Sequence, residues 1–369
     1  MKKRESNFDL LRILSCIAMI MIHVSARYYI ALTNPDVFGE KYFNYNFYIV
    51  VFNTISRFAV PCFVMLSGAF LLSDPKNKDR KYFYKKSIKS ILIPVIIFSI
   101  GYFIFFENSM IHQIINHNGS KELLFEPIKR FIYGAPYYHM WYMYMLIGLY
   151  LIVPDIIKYQ ENMNEKTRKK VTLFIFVICA ISGVMTKTYI NYGIAKVVLY
   201  IGYLLMGYEI KQKVKNKNNL KAILFITSGL LTELLLSRFV YKYQIGTDLN
   251  DMEYIKNILF GIDNFHPFVV ISSILIFTGF GYLKTNIDLS KIANKTYYIY
   301  LFHAVVLFFT EKLAIRTFGI NIDARIAIPI EILIVFIISY ILTNIYLWIY
   351  KKINKNEFIE NKLYKLFNL

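Results

Sequence analysis

The sequence predicts an all-α integral membrane protein of about ten transmembrane helices with both termini in the cytoplasm. Three observations carry that expectation. First, hydrophobic residues make up 56% of the 369 residues and charged residues only 18%, well away from an average soluble domain, about a quarter of which is charged. Second, ten apolar runs can be drawn, many close to the roughly 20 residues that cross a bilayer as a helix: 9–31, 47–72, 88–106, 140–157, 171–186, 194–210, 220–239, 266–283, 296–315 and 326–350. Third, the connections alternate in charge. Residues 1–4, 76–89, 158–170, 211–221, 284–295 and the tail from Lys351 are basic, whereas 32–46, 107–139, 187–193, 240–265 and 316–325 hold fewer Lys and Arg. The positive-inside rule then places the basic set in the cytoplasm, and an even number of spans follows.

The net charge of +19 belongs to this topology. A nucleic-acid surface would gather its basic residues into a patch on a soluble fold. Cys16, Cys62 and Cys179 all lie inside apolar runs without CxxC or Cys/His ligand spacing, so no metal is expected. The N-terminal run lacks a small-residue cleavage site and reads as a retained span rather than a signal peptide. No repeat or linker interrupts residues 1–369, so one membrane domain without a soluble appendage is expected, in a cell membrane of bacterial cytoplasmic type.

In the first run Arg12 and His23 interrupt the apolar sequence. Eleven residues are three helical turns plus about 20°, so the two side chains share one face about 16 Å apart. An ionisable group inside a bilayer is costly, and it marks a functional site by default; the plainer alternatives are a snorkelling arginine and a hydrogen-bonded bundle histidine. The second run carries Arg57 near the midplane, a kink expected at Pro61, and then Ser67-Gly68. A buried guanidinium needs an acceptor, and the candidates are Glu233, Glu331 or an anionic ligand. Before the third run, Lys86 and Lys89 share a helical face, either as topology signals or as point charges for a phosphate. His139 and Trp141 open the fourth run, where an aromatic interface belt is the plain alternative. In the ninth run Tyr300 and His303 fall at mid-bilayer depth. His112, His117 and His266 belong to outward connections and look ordinary. The outward connections 107–139 and 240–265 are long enough for short capping helices.

Several stretches resemble one family. Phe8-Asp9-Leu10-Leu11-Arg12 followed by His23 is similar to the arginine, ten residues, histidine signature of the membrane acyltransferase-3 family. Val60-Pro61 through Ser67-Gly68 to Leu72, Lys86-x-x-Lys89 before Pro94, His139-Met140-Trp141 and Tyr298 to His303 resemble four further motifs of that family, in the same order. Lysines stand at 86 and 89 where the family commonly has arginines, and Leu11 stands where it often has glycine. The resemblance implies an O-acyltransferase that takes an acyl group, usually acetyl, from cytoplasmic acetyl-CoA to a hydroxyl of a cell-surface or lipid-linked glycan. It implies His23 and Arg12 as catalytic residues, and Arg12, Lys86 and Lys89 as contacts to CoA phosphates. Asp9, Arg57, Ser67, His139, Trp141, Tyr300 and His303 are implied as substrate or structural support. A transporter of a small polar solute such as serine is the competing class, since buried Arg, His and Glu also suit a solute pathway. A scaffold for polysaccharide export requires no buried charge.

Overall fold

The computed structural model describes residues 4–32, 46–105, 132, 136–185, 196–245, 263–317 and 323–354. All ten apolar runs are helical, and no strand occurs among the described residues. The first run is α1 (Ser6–Leu32); the second is split into α2 (Asn46–Ile55) and α3 (Ala59–Leu71). A turn at 75–78 leads to α4 (Arg80–Phe83), which continues through a widened turn at 84–88 into α5 (Lys89–Phe105). There follow α6 (Trp141–Glu161), α7 (Glu165–Met185), α8 (Val197–Lys213), α9 (Asn219–Ile245), α10 (Pro267–Tyr282), the single turn α11 (Ser290–Ala293), α12 (Thr296–Thr317) and α13 (Ala324–Asn354).

Among the described residues five stretches are long and apolar enough to cross a membrane: Ser6–Tyr28, Phe47–Leu71, Trp141–Glu161, Asn219–Tyr241 and Ala324–Lys352. A sixth joins α4 and α5 if their 42° bend is counted within one span. The other runs form shorter helices, such as the 16 residues of α10, or begin in charged sequence, as α7 does with Glu165-Lys166. The protein is multi-pass. Its outer surface is the one lipid requires: Ile96, Ile97 and Ile100 of α5, Leu235 of α9 and Leu333 and Ile341 of α13 are exposed, an extent of apolar surface that water-soluble monomers rarely show.

Helix α1 is the hub, packed against α2, α3, α10, α12 and α13, with Leu11, Cys16 and Ile20 fully buried. The α3–α8 contact is backbone on backbone. A Cβ at Gly68 would lie 1.8 Å from the Leu204 carbonyl oxygen, and one at Gly207 would lie 2.0 Å from that of Met65. Lipid supplies no hydrophobic drive between helices, so such close approach of small residues is what joins them. Gly68 of the Ser-Gly pair is thereby fixed by packing. The helix of the second run is interrupted at Ser56–Phe58, upstream of Pro61, because the proline ring displaces the carbonyl four residues earlier, that of Arg57, and Phe47–Leu71 remains one span.

Polar contacts gather the basic connections on one face. Arg4 Nη2 donates to Asn294 Oδ1 (2.9 Å), and Lys211 pairs with Glu5 (2.8 Å). Gln212 Nε2 donates to Ser73 Oγ (3.2 Å), and the Lys284 amide donates to Asn219 Oδ1 (2.8 Å). Lys295 Nζ reaches Asn344 Oδ1 at 2.5 Å, near the end of α13. These contacts bring residues of the basic connections 1–4, 211–221 and 284–295 together. The capping helices expected in 107–139 and 240–265 fall largely outside the described residues, as do His112 and His117.

Candidate functional site

Three histidines from distant parts of the chain meet beside α1. His23 comes from α1, His139 from the turn before α6, and His303 from α12. The His23 and His303 rings stack with centroids 5.2 Å apart and planes at 28°. His139 meets His303 edge-on at 4.9 Å, Tyr138 meets His23 at 5.0 Å, and Tyr102 meets His139 at 4.9 Å. His139 and His303 are fully buried, so His139 is a core residue rather than part of an interface belt. Its position follows from its turn. The His139 carbonyl accepts both the Tyr142 amide (3.4 Å) and the Tyr300 hydroxyl.

Proton positions follow from the partners. His303 Nδ1 lies 2.5 Å from the Tyr300 carbonyl oxygen. A carbonyl only accepts, so Nδ1 carries the proton and Nε2 keeps its lone pair. That Nε2, and both ring nitrogens of His139, are buried without a hydrogen-bond partner among the described residues. Arg57 and Arg27 lie within electrostatic range of His23. Among the described residues no group of His, Cys, Asp or Glu is arranged to hold a metal ion.

Toward the basic face, a cavity of about 360 Å³ opens beside Arg12, with Ser67, Ser90, Tyr142, Tyr150 and Tyr300 in its wall. The Arg12 guanidinium stands 5.8 Å from the centroid of Phe70 and makes no hydrogen bond or ion pair with the described residues. A cation lining a cavity without a carboxylate is equipped for an anion. Tyr300 joins the two places. It lines the cavity, and its ring lies 5.3 Å from that of His303 and 5.5 Å from that of His139. Tyr300 thus stands between the Arg12 cavity and the His139–His303 contact, with Arg12 and His23 about three helical turns apart on α1.

The other sequence-predicted residues are placed as follows. Asp9 is buried in a two-pronged pair with Arg4 (2.5 and 3.0 Å) and does not line the cavity. Ser67 lines it, and its hydroxyl donates to the Phe63 carbonyl (3.1 Å). Trp141 lies under the Lys196 ammonium, 4.1 Å from the centroid. Arg57 Nε and Nη2 both donate to Asn53 Oδ1. Of its candidate acceptors, Glu331 pairs instead with Arg27 (3.6 Å). Glu233 accepts from Ser272 Oγ (2.5 Å) and interacts with Arg57 only through space. Lys86 is outside the cavity wall; its ammonium donates to the Tyr82 hydroxyl (3.0 Å), which raises its pKa. The side chain of Lys89 lies outside the described residues, although its neighbour Ser90 is in the wall.

The sequence alone does not single out Tyr142, Tyr150 or Asn53. The Asn53–Arg57 spacing of one helical turn is the available signal for the last. The two tyrosines carry none, being two among 31.

A family model described as an acyltransferase domain matches residues 5–347. The chain belongs to the acyltransferase-3 family. The match begins before the Arg12–His23 pair and ends within α13, so cavity and histidine cluster both lie within the family's domain. No curated protein and no solved structure matches the chain.

Proposed function

We propose that this acyltransferase moves an acyl group, acetyl by family resemblance, from cytoplasmic acyl-CoA to a hydroxyl of an extracytoplasmic or lipid-linked glycan. The observation that supports the reading is the placement of Tyr300, which lines the Arg12 cavity and packs against His303 and His139. The donor enters from the basic face, taken as cytoplasmic with ten spans and both termini on that side. Arg12 meets a phosphate of the donor, and the acyl-bearing arm runs along α1 past Tyr142 and Tyr300 toward His23.

At His23 a neutral imidazole accepts the proton of the acceptor hydroxyl while its oxygen adds to the thioester carbonyl carbon. The tetrahedral intermediate then collapses with cleavage of the C–S bond, and the proton passes from His23 to the departing thiolate. The products are free CoA and an ester. The transient oxyanion needs donors already in place. Tyr300 and His303 Nδ1 have their protons committed to carbonyl oxygens, which leaves two cations whose charge reaches the site: Arg57, held by Asn53, and Arg27, whose charge is partly offset by Glu331. Burial of His139 and His303 closes one side of the site to water, while half-buried His23 stays open to an acceptor.

The solute-transporter alternative gains no support from the family match, which describes acyl transfer. The test is transfer of radiolabelled acetyl from acetyl-CoA, supplied to inside-out vesicles, into base-labile ester on extracted glycan. Label that appears with the wild type and not with His23→Ala at matched protein levels is the expected result. Absence of label in wild-type vesicles containing the native glycan would overturn the reading.

A further inference from the structure

A second concavity on the basic face is not used by the reaction described above. It is a shallow, open hollow of about 500 Å³ between the hairpin after α3 and the end of α6, and Lys76, Lys78, Arg80, Lys81 and Lys158 line it with Asp79. Its walls are built. Asn77 is buried and donates to the Leu71 carbonyl (2.9 Å). Phe83 is fully buried beneath the hairpin, and the Tyr84 hydroxyl donates to the Leu151 carbonyl of α6 (2.6 Å).

The charges in this groove divide into two sets. Arg80 pairs with Asp155 (2.5 Å) and Lys78 with Glu161, which ties the hairpin to α6. Asp79 accepts from the Tyr82 amide (3.1 Å) as a helix cap. Lys76, Lys81 and Lys158 have no ion-pair partner among the described residues, and all three are exposed. Two of these cations stand on the hairpin and one on α6, so they face a ligand from both walls. A positive-inside signal requires only their number; holding them on two walls of one concavity, with their carboxylate neighbours engaged elsewhere, is an arrangement for a multiply charged anion.

The groove and the Arg12 cavity share two elements. Tyr150 of α6 and Ser90 of α5 line the cavity, while Lys158 of α6 and Lys81 of α4, which continues into α5, line the groove. From Tyr150 to Lys158 is about 12 Å along the helix. We propose that the groove holds the phosphorylated nucleotide head, 3′-phosphate included, of the same acyl-CoA whose arm enters the Arg12 cavity. The inference rests on the function proposed above and adds to it the residues that distinguish a nucleotide-bearing donor from a bare pantetheine thioester. An extended ligand with a charged head and a slender arm matches a two-compartment site of this kind.

The test is equilibrium binding of CoA, 3′-dephospho-CoA and pantetheine to the purified full-length protein. Wild type is compared with a variant carrying Lys76→Gln, Lys81→Gln and Lys158→Gln, three exposed positions, with thermal melting as a check of folding. Wild type is expected to bind CoA at least about tenfold more tightly than 3′-dephospho-CoA, an advantage of the size that charge-assisted contacts supply, and the variant to lose that advantage while binding pantetheine as wild type does. A single Lys158→Glu exchange gives the same comparison should the triple variant not fold. If the variant still prefers CoA as wild type does, the inference is overturned and the proposed function stands. The inference also fails, again without touching the proposed function, if the variant loses only its affinity for vesicles of anionic phospholipid, which would make the groove a lipid site. Wild type that binds no CoA overturns the proposed function and this inference with it.

Discussion

The Arg12 cavity and the histidine cluster share α1 and α12 and are built from opposite materials. The cavity wall is hydroxyl-rich and carries a guanidinium without an ion-pair partner among the described residues. The cluster is packed ring against ring; His139 and His303 are fully buried, and the Tyr300 hydroxyl and His303 Nδ1 are bound to backbone carbonyls. A wet pocket with a fixed charge favours binding, because the cation meets an anion without first breaking a protein contact. A cluster in which His303 Nε2 and both His139 nitrogens are buried without a hydrogen-bond partner among the described residues favours proton transfer, because no protein contact must first be broken there. On the proposed function one helix presents a binding group and a chemical group about three turns apart, and the two are expected to fail differently when altered.

Substitutions can break or sharpen that contrast. The largest effect is expected from His23→Ala. Turnover at saturating donor should fall by about 10²–10⁴, the usual contribution of a general base, as read by the vesicle transfer assay; activity retained within a few-fold would remove His23 from the chemistry. Arg12→Ala comes next. Loss of a charge-assisted contact of about 1.5–3 kcal/mol should raise KM for acetyl-CoA roughly ten- to hundredfold, with turnover at saturation little changed. An equal fall in kcat would mean that the cavity takes part in the chemical step and that the division into two regions is wrong.

Tyr300→Phe tests the link between them. It removes the hydroxyl that anchors the His139 carbonyl but keeps the ring that walls the path. A loss of about 1 kcal/mol of stability and a few-fold drop in kcat, with KM for the donor unmoved, are expected from thermal melting and initial rates. The smallest effect is expected from Asp9→Asn. Its partner Arg4 is 43% exposed, and such pairs contribute about 1 kcal/mol or less. Melting temperature should shift slightly and both kinetic constants should hold; a tenfold rise in KM would bring Asp9 into the donor site.

Much of this contrast is legible in the sequence, and for unequal reasons. Arg12 and His23 stand out because charge inside an apolar run is anomalous wherever it occurs, and helical periodicity alone sets them on one face. Charge alternation between the runs reports which connections share a side. Pairings across helices have no such local signature. Glu233 and Glu331 are equivalent in sequence as partners for Arg57, and only packing gives Glu331 to Arg27. His139 beside Trp141 has the composition of an interface belt, and only the neighbours brought by α5 and α12 make it a core residue. Pro61 marks the break of the second run one turn too late, since proline acts on the turn before it and the helix is interrupted at Ser56–Phe58. The cavity tyrosines are hidden by abundance, since with 31 tyrosines and 31 phenylalanines composition cannot single out the few that face inward.

The central claim is that binding resides at Arg12 and chemistry at His23. Its most direct test is equilibrium binding of acetyl-CoA to purified wild type, Arg12→Ala and His23→Ala, measured side by side on protein of matched thermal stability. The account expects His23→Ala to bind as wild type does and Arg12→Ala to bind at least about tenfold more weakly. Equal loss of affinity in both variants, or undiminished affinity in Arg12→Ala, would contradict it.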